Sequence, residues 1–230
     1  MKNLQKILIV AAFFFWAGAF CAYAEEMKTA ETVQTATATI PGAPSAPQAA
    51  VEKTTLDNLQ TAFNGESNAN ARYLAFAQKS DAEGYGKAAS LFRAAARAEQ
   101  VHFERHAKAI KELEGVPAAT IETPIVKSTA ENLKAAMDGE IYESTVMYPG
   151  FLTKAEKDGI KSASDAFEDA GKAEAVHANL YKNALENLRG WKGKNKDFYV
   201  CPFCGNVVEK ANFQACPLCG ESKMKFMAVK

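Results

Sequence analysis

The sequence has no surplus of either charge. Its 230 residues carry 27 basic and 27 acidic side chains, so no basic field points to a nucleic-acid partner. Histidine is scarce, with only His102, His106 and His177. Cysteine is missing from residues 22–200, so any metal site there must be built from carboxylates and imidazoles. A membrane-length apolar run is also absent from the start of the chain: Ile7 to Phe20 falls short of the about 20 residues a span needs.

That short run, preceded by Lys2 and Lys6 and followed by Ala22-Tyr23-Ala24, has the layout of an export signal over residues 1–24. An uncleaved N-terminal anchor is the other reading. Cys21 follows Phe20, which is too bulky for the position before a lipidated cysteine. The expected location is the bacterial periplasm. Residues 25–51 are rich in Ala, Thr and Pro. They have little to bury and read as a disordered linker.

From there to about Gly190 the apolar spacing is helical. Ile160, Ala163, Phe167, Ala170, Glu174, His177, Tyr181, Ala184 and Leu188 recur at intervals of three and four, the inward seam of a packed helix. Glu174 and His177 occupy places where apolar residues belong, and a buried carboxylate needs something to attract it. Three earlier helices repeat the anomaly. One is expected from about Val51 to Ser80, with Thr54 or Thr55 as its cap and the seam Leu56, Leu59, Phe63, Glu66, Asn70, Tyr73 and Ala77. The next, from Gly86 to about Glu114 and ending at Gly115, places Glu99, His102 and His106 among Phe92, Ala95, Ala109 and Leu113. The third, Ser128 to Asp158 with a kink at Pro149, places Glu140 and Glu143 beside Leu133, Ala136 and Met147. Residues 115–126, extended at about 3.3 Å each, reach roughly 40 Å, the length of a helix of about 28 residues. The fold expected is all-α, a four-helix bundle with one long crossover.

The acids match a chemical inventory. Single or paired Glu on two helices, with Glu-x-x-His on the other two, is the set that holds a pair of iron or manganese ions in a bundle. Positions i and i+3 share a helical face, so each Glu-x-x-His offers two ligands to one site. His106 has no Glu three residues before it and reads as a core histidine hydrogen-bonded within the bundle.

The last 40 residues differ. Cys201-Pro-Phe-Cys204-Gly and Cys216-Pro-Leu-Cys219-Gly place four thiols for one tetrahedral metal, iron or zinc. Two disulfides are the alternative outside the cytoplasm. The glycine after each pair lets backbone N–H groups turn toward sulfur. So small a module scarcely folds without its metal.

These features together resemble the rubrerythrin family. The resemblance covers about residues 52–230 and rests on Phe63-Asn64-Gly65-Glu66-Ser67, Glu99-x-x-His102, Gly139-Glu140-Ile141-Tyr142-Glu143 with Met147-Tyr148-Pro149, Glu174-x-x-His177 and the two CxxCG loops. It implies a ferritin-like di-iron bundle over 52–190 and a rubredoxin-like domain over 191–230. It implies peroxidase activity: hydrogen peroxide reduced to water at two non-haem irons, with electrons arriving through the four-cysteine iron from a donor not identified by sequence. It further implies that Glu99 and Glu174 bridge the irons and that Glu66, Glu140 and His177 are terminal ligands. Glu143 and His102 are implied as exchanging ligands, and Tyr73 and Tyr148 as hydrogen-bond partners of ligand carboxylates. A homodimer is implied, with one subunit's cysteine module serving the other's bundle. Val146 departs from the family pattern, which often has an acid there. Two rival functions remain open on the residues alone: an iron-oxidising, iron-holding protein and a plain redox carrier.

Overall fold

The computed structural model describes residues 53–230. The segments expected to form an export signal (1–24) and a linker (25–51) lie outside the described residues. Four rods form the bundle. α1 spans Thr55–Ala82 and α2 spans Gly86–Glu112. The third rod consists of α3 (Thr129–Tyr142), a π-helical turn (Glu143–Met147) and α4 (Tyr148–Lys157). α5 spans Lys161–Glu186. Among the described residues no helix is long and apolar enough to cross a membrane.

The helix starts follow local chemistry. Thr54 and Asp57 form a reciprocal capping box at α1, and Ser128 and Glu131 form another at α3, each satisfying backbone donors that the first turn leaves open. α1 begins at Thr55 and not near Val51. At the end of α2 the left-handed residue is Glu114 (φ 60°) and not Gly115. Gly115 is small for another reason: a Cβ there would lie 2.8 Å from Ile110 Cγ2 and 2.9 Å from Leu56 Cδ1.

The third rod departs from the expected simple kink. In a regular helix the Pro149 ring would collide with the Thr145 carbonyl. The chain instead widens one turn earlier, and the Tyr148 N–H donates five residues back to the Glu143 carbonyl. Single π turns of this kind recur at functional sites, and this one carries Glu143.

The crossover runs beside α1. Gln60 donates to the Val116 carbonyl and accepts from Ala118 N–H; Asn64 accepts from Thr120 N–H; Asn68 accepts from Glu122 N–H and donates to the Thr120 carbonyl. Four helical residues rise about 6 Å, and two extended residues advance about 6.6 Å. Side chains at i, i+4 and i+8 of α1 therefore keep step with an extended chain. Asn64 lies within a motif that carries the family resemblance; Gln60 and Asn68 do not.

Packing sets an acid layer between two apolar layers. On one side Tyr73, Phe76, Phe92 and Tyr181 interlock, with ring centroids 5.3–6.3 Å apart. On the other, Tyr148 and Phe167 pack against His106, and Phe151 packs behind, on Tyr148 and Phe167. Alanines at Ala62, Ala69, Ala95, Ala98, Ala170 and Ala173 are buried between them, which brings the helices close. Burying each aromatic side chain contributes about 1.5–3 kcal/mol, and these layers offset the cost of the acids between them.

After α5 the chain makes a 3-10 turn (Leu188–Trp191) and returns along α2. Gly86 N–H donates to the Gly193 carbonyl, and Lys196 N–H donates to Ser90 Oγ. It then forms an antiparallel sheet of β1 (Phe198–Val200), β2 (Val207–Val208) and β3 (Met227–Val229), in the order β2-β1-β3. Phe198, Val200 and Val207 join the aromatic layer of the bundle in one core.

Candidate metal centre

Six of the expected ligands converge. Glu66 (α1), Glu99 and His102 (α2), Glu140 (α3), and Glu174 and His177 (α5) are each at most 1% exposed. Their donor atoms form two groups: Glu66, Glu99, His102 and Glu174, and Glu99, Glu140, Glu174 and His177. Within each group all donor atoms lie within 4.8 Å of one another. Glu99 and Glu174 belong to both.

The imidazoles are oriented by the cysteine module. His102 Nε2 donates to the Cys204 carbonyl at 3.0 Å, and His177 Nε2 donates to the Gly205 carbonyl at 3.1 Å. A neutral ring with its proton on Nε2 carries a lone pair on Nδ1. That lone pair faces carboxylates: His102 Nδ1 lies 2.9 Å from Glu99 Oε2 and 2.8 Å from Glu174 Oε1, and His177 Nδ1 lies 2.7 Å from Glu174 Oε2. Lone pairs so close repel unless a proton or a metal cation stands between them. Many of these atoms crowd a common point without bonding each other well. Glu66 Oε2, Glu99 Oε1, Glu140 Oε2, both Glu174 oxygens and His177 Nδ1 are buried with no aligned hydrogen-bond partner. The donor set of carboxylate oxygens and imidazole nitrogens suits iron, so the residues present fit a two-cation centre.

The electrostatics agree. Burial and the other carboxylates push Glu66 and Glu140 well above the usual carboxylate range. Burial and Glu174 also raise Glu99. Without a cation, burial opposes charge on His102 and His177, but Glu174 outweighs it and raises both, so they hold protons. These protonated rings in turn outweigh burial at Glu174 and hold it below its ordinary value. Several of these acids therefore keep protons when no cation is present, and loading the site exchanges protons for metal.

The other expected residues are placed as follows. Tyr73 donates to Glu140 Oε1 at 2.7 Å, and Tyr148 donates to Glu66 Oε1. His106 is a buried core residue whose Nε2 donates to the Tyr148 oxygen at 3.0 Å; burial and the nearby His102 and Arg105 hold it neutral, with its pKa down to about 3. Glu143 contributes no atom to either group. It stands beside them on the π turn, with its pKa pushed up to about 8 by burial and by Glu174 and Glu99. Val146 is exposed. Tyr181, a seam residue with no assigned role, is buried with its hydroxyl unpartnered.

Cys201, Cys204, Cys216 and Cys219 are free thiols gathered in one cluster. Cys201 Sγ lies 3.7 Å from Cys219 Sγ, and Cys204 Sγ lies 3.7 Å from Cys216 Sγ. A disulfide needs about 2.05 Å, which sets that alternative aside. A tetrahedral metal with bonds of about 2.3 Å separates its sulfurs by about 3.8 Å. The two loops are near copies. Gly205 and Gly220 have φ of 74° and 78°; each donates to the carbonyl of the first cysteine in its loop. The N–H groups of Asn206 and Glu221 approach Cys204 and Cys219 sulfur.

The family resemblance led us to expect the partner subunit's module at the bundle. Here the chain's own first cysteine loop covers the histidines. Nothing in the sequence marks this docking, because its acceptors are backbone carbonyls.

The protein-family model described as Rubrerythrin matches residues 57–185. The chain is 37% identical over 161 residues to nigerythrin of Nitratidesulfovibrio vulgaris, covering 70% of this chain and 79% of that one. It is 34% identical over 181 residues to Rubrerythrin-2 of Clostridium acetobutylicum, covering 76% and 96%. Among solved structures, fully reduced, all-ferrous nigerythrin aligns with a TM-score of 0.73 at 36% identity, covering 80% of this chain and 91% of that one. The paired carboxylate-histidine site, the four-cysteine site and these likenesses lead to one conclusion: the chain belongs to the rubrerythrin family and is a di-iron redox protein with a rubredoxin-like iron site.

Proposed function

We propose that this protein is a peroxidase that reduces hydrogen peroxide to water, with electrons entering through the four-cysteine site. When bound, the iron pair supplies one electron per metal and polarises the peroxide oxygens. Glu99 and Glu174, common to both donor groups, would be shared between the two ions. Glu66, Glu140 and His177 each hold one side. His102, within one donor group, and Glu143, beside it on the π turn, would be the alternative ligands for one iron. Tyr73 and Tyr148 fix the outer carboxylate oxygens of Glu140 and Glu66, leaving the inner ones directed at metal. Glu143, whose pKa is pushed up to about 8 beside the site, would hand protons to the departing oxygens, and Tyr148 would act through Glu66, to which it donates. The aromatic layers on either side exclude bulk water.

The observation that carries this reading is the pair of hydrogen bonds from His102 and His177 to Cys204 and Gly205. They join the ligands of one site to the loop of the other. A protein that merely stores iron has no use for such a junction. The test is an anaerobic titration of fully reduced protein with hydrogen peroxide. One equivalent should oxidise both bundle irons, the four-cysteine iron should follow, and turnover should continue with added reductant. Faster reaction with dioxygen than with peroxide, or uptake of iron far beyond two in the bundle and one in the cysteines, would support iron handling instead.

We further propose a periplasmic location and a homodimer. The N-terminal basic-apolar-small pattern supports the first, and the exposed Ile141, Tyr142 and Val146 support the second. Recovery in an osmotic-shock fraction and sedimentation equilibrium would test them.

A further inference from the structure

We propose that Arg105 is a positioning residue for electron entry, a latch that holds the first cysteine loop on the histidines. The inference rests on the reading that electrons arrive through the four-cysteine site. Arg105 lies three residues beyond His102 on α2, one turn along the same face. Its guanidinium ties three elements together. Nη1 donates to Asp169 Oδ2 of α5 at 2.7 Å and to the Phe203 carbonyl at 3.1 Å. Nη2 donates to the Asp165 carbonyl at 3.3 Å. Its carbon Cζ sits 4.4 Å from the centre of the Phe203 ring.

Phe203 is the residue just before Cys204, inside the first loop. The residue is 46% exposed, and its ring leans on the guanidinium. A lone exposed ion pair would contribute little. This one differs in being mostly shielded: the Arg105 and Asp169 side chains are 19% and 15% exposed. A planar fork that bonds a carboxylate and a backbone carbonyl while stacking on a ring is an arrangement that lysine cannot reproduce. A crevice of about 280 Å³ flanks the contact, lined by Arg105, Lys108, Asp165, Pro202 and Phe203 among others. The loop has room to move away if the latch is removed. Arg105 donates to Asp169 and to the Phe203 and Asp165 carbonyls and to no cysteine sulfur, so the latch sets where the loop sits and not whether it binds metal.

The step affected is a transfer of one electron. The ferrous four-cysteine iron becomes ferric, a ferric bundle iron becomes ferrous, and no bond or proton is exchanged with Arg105. The experiment uses the full chain loaded with iron, as wild type, Arg105→Ala and Arg105→Lys. Reduced protein is mixed with one equivalent of hydrogen peroxide, and the ferric four-cysteine absorption is followed in time. In Arg105→Ala its return should slow by about tenfold or more, the scale of one lost charge-assisted hydrogen bond. The peroxide-consuming phase and the final amplitude should not change. Arg105→Lys, which can keep the Asp169 pair, should fall between. In parallel, amide hydrogen exchange at residues 203–206 should quicken in Arg105→Ala and leave residues 216–221 unaffected. An unchanged rate with unchanged exchange overturns the proposal. If the wild type itself passes no electron to the bundle, the electron-entry reading fails, and the exchange comparison still decides whether Arg105 holds the loop.

Discussion

Replacing Glu99 by Gln should remove iron from both halves of the bundle site at once, because Glu99 serves both donor groups. The substitution nearly preserves volume, so it tests charge and ligation and not packing. At about 4 Å, two carboxylates repel by roughly 4 kcal/mol at an effective dielectric near 20. The wild-type cluster therefore depends on cations or protons to stay folded. Each bound ion at a hundred times its dissociation constant adds about 2.7 kcal/mol to stability. Losing two ions removes about 5 kcal/mol, which for a domain of this size lowers the melting temperature by roughly 10–20 °C. Metal-free wild type and metal-free variant should melt within a few degrees of each other. Metal analysis and calorimetry together read the result: iron should fall to the single four-cysteine ion, with the stability gap present only in loaded samples. A variant that keeps three irons and the full melting temperature would contradict the two-cation reading.

The second large effect is expected from Gly205→Ala. Two costs combine there. A residue with a Cβ pays about 1–2 kcal/mol for a left-handed backbone, and Gly205 has φ of 74°. That Cβ would also lie 2.2 Å from His102 Nε2. The ring cannot swing aside without taking Nδ1 from the metal site, so the loop must lift and lose its bonds to His102 and His177. The backbone strain is present whether the loop is docked or lifted, so the docking loss is that of two hydrogen bonds, roughly 2 kcal/mol, or about thirtyfold less docked loop. Gly220 supplies the control. It has nearly the same φ, 78°, but a Cβ there meets nothing within 4 Å. Gly220→Ala should pay only the backbone cost. Both variants should retain the visible spectrum of the four-cysteine iron, since neither glycine supplies a ligand. Only Gly205→Ala should lose rapid re-reduction of the bundle, followed by stopped-flow absorption. Equal loss in both variants would mean that the junction to the histidines is not the route.

The ligands could be read from the sequence because a helix converts spacing directly into direction. Glu99 with His102 and Glu174 with His177 sit where their neighbours Ala95, Ala170 and Tyr181 are buried, so their inward aim follows from the period alone. The cysteine site could be read for a similar reason: two loops of the form Cys-Pro-x-Cys-Gly impose one geometry. Three features could not. The π turn at Glu143–Met147 leaves the apolar period almost unbroken, since Glu143 and Met147 are four apart in either helix. The docking of the cysteine loop uses the carbonyls of Cys204 and Gly205, which any residue supplies. Gly205 was read as a turn that frees an N–H for sulfur. The structure adds that it clears space for His102. The fastening of the crossover could have been read, because Gln60, Asn64 and Asn68 form a polar stripe with a four-residue repeat alongside a long unstructured connection.

Peroxide reduction and electron entry both depend on two cations held between the four rods. Anomalous scattering at the iron edge from crystals of the loaded protein measures this most directly. The account requires three peaks per chain: one among the four cysteine sulfurs, one among Glu66, Glu99, His102 and Glu174, and one among Glu99, Glu140, Glu174 and His177. A peak at the cysteines with none, or only one, inside the bundle would contradict it.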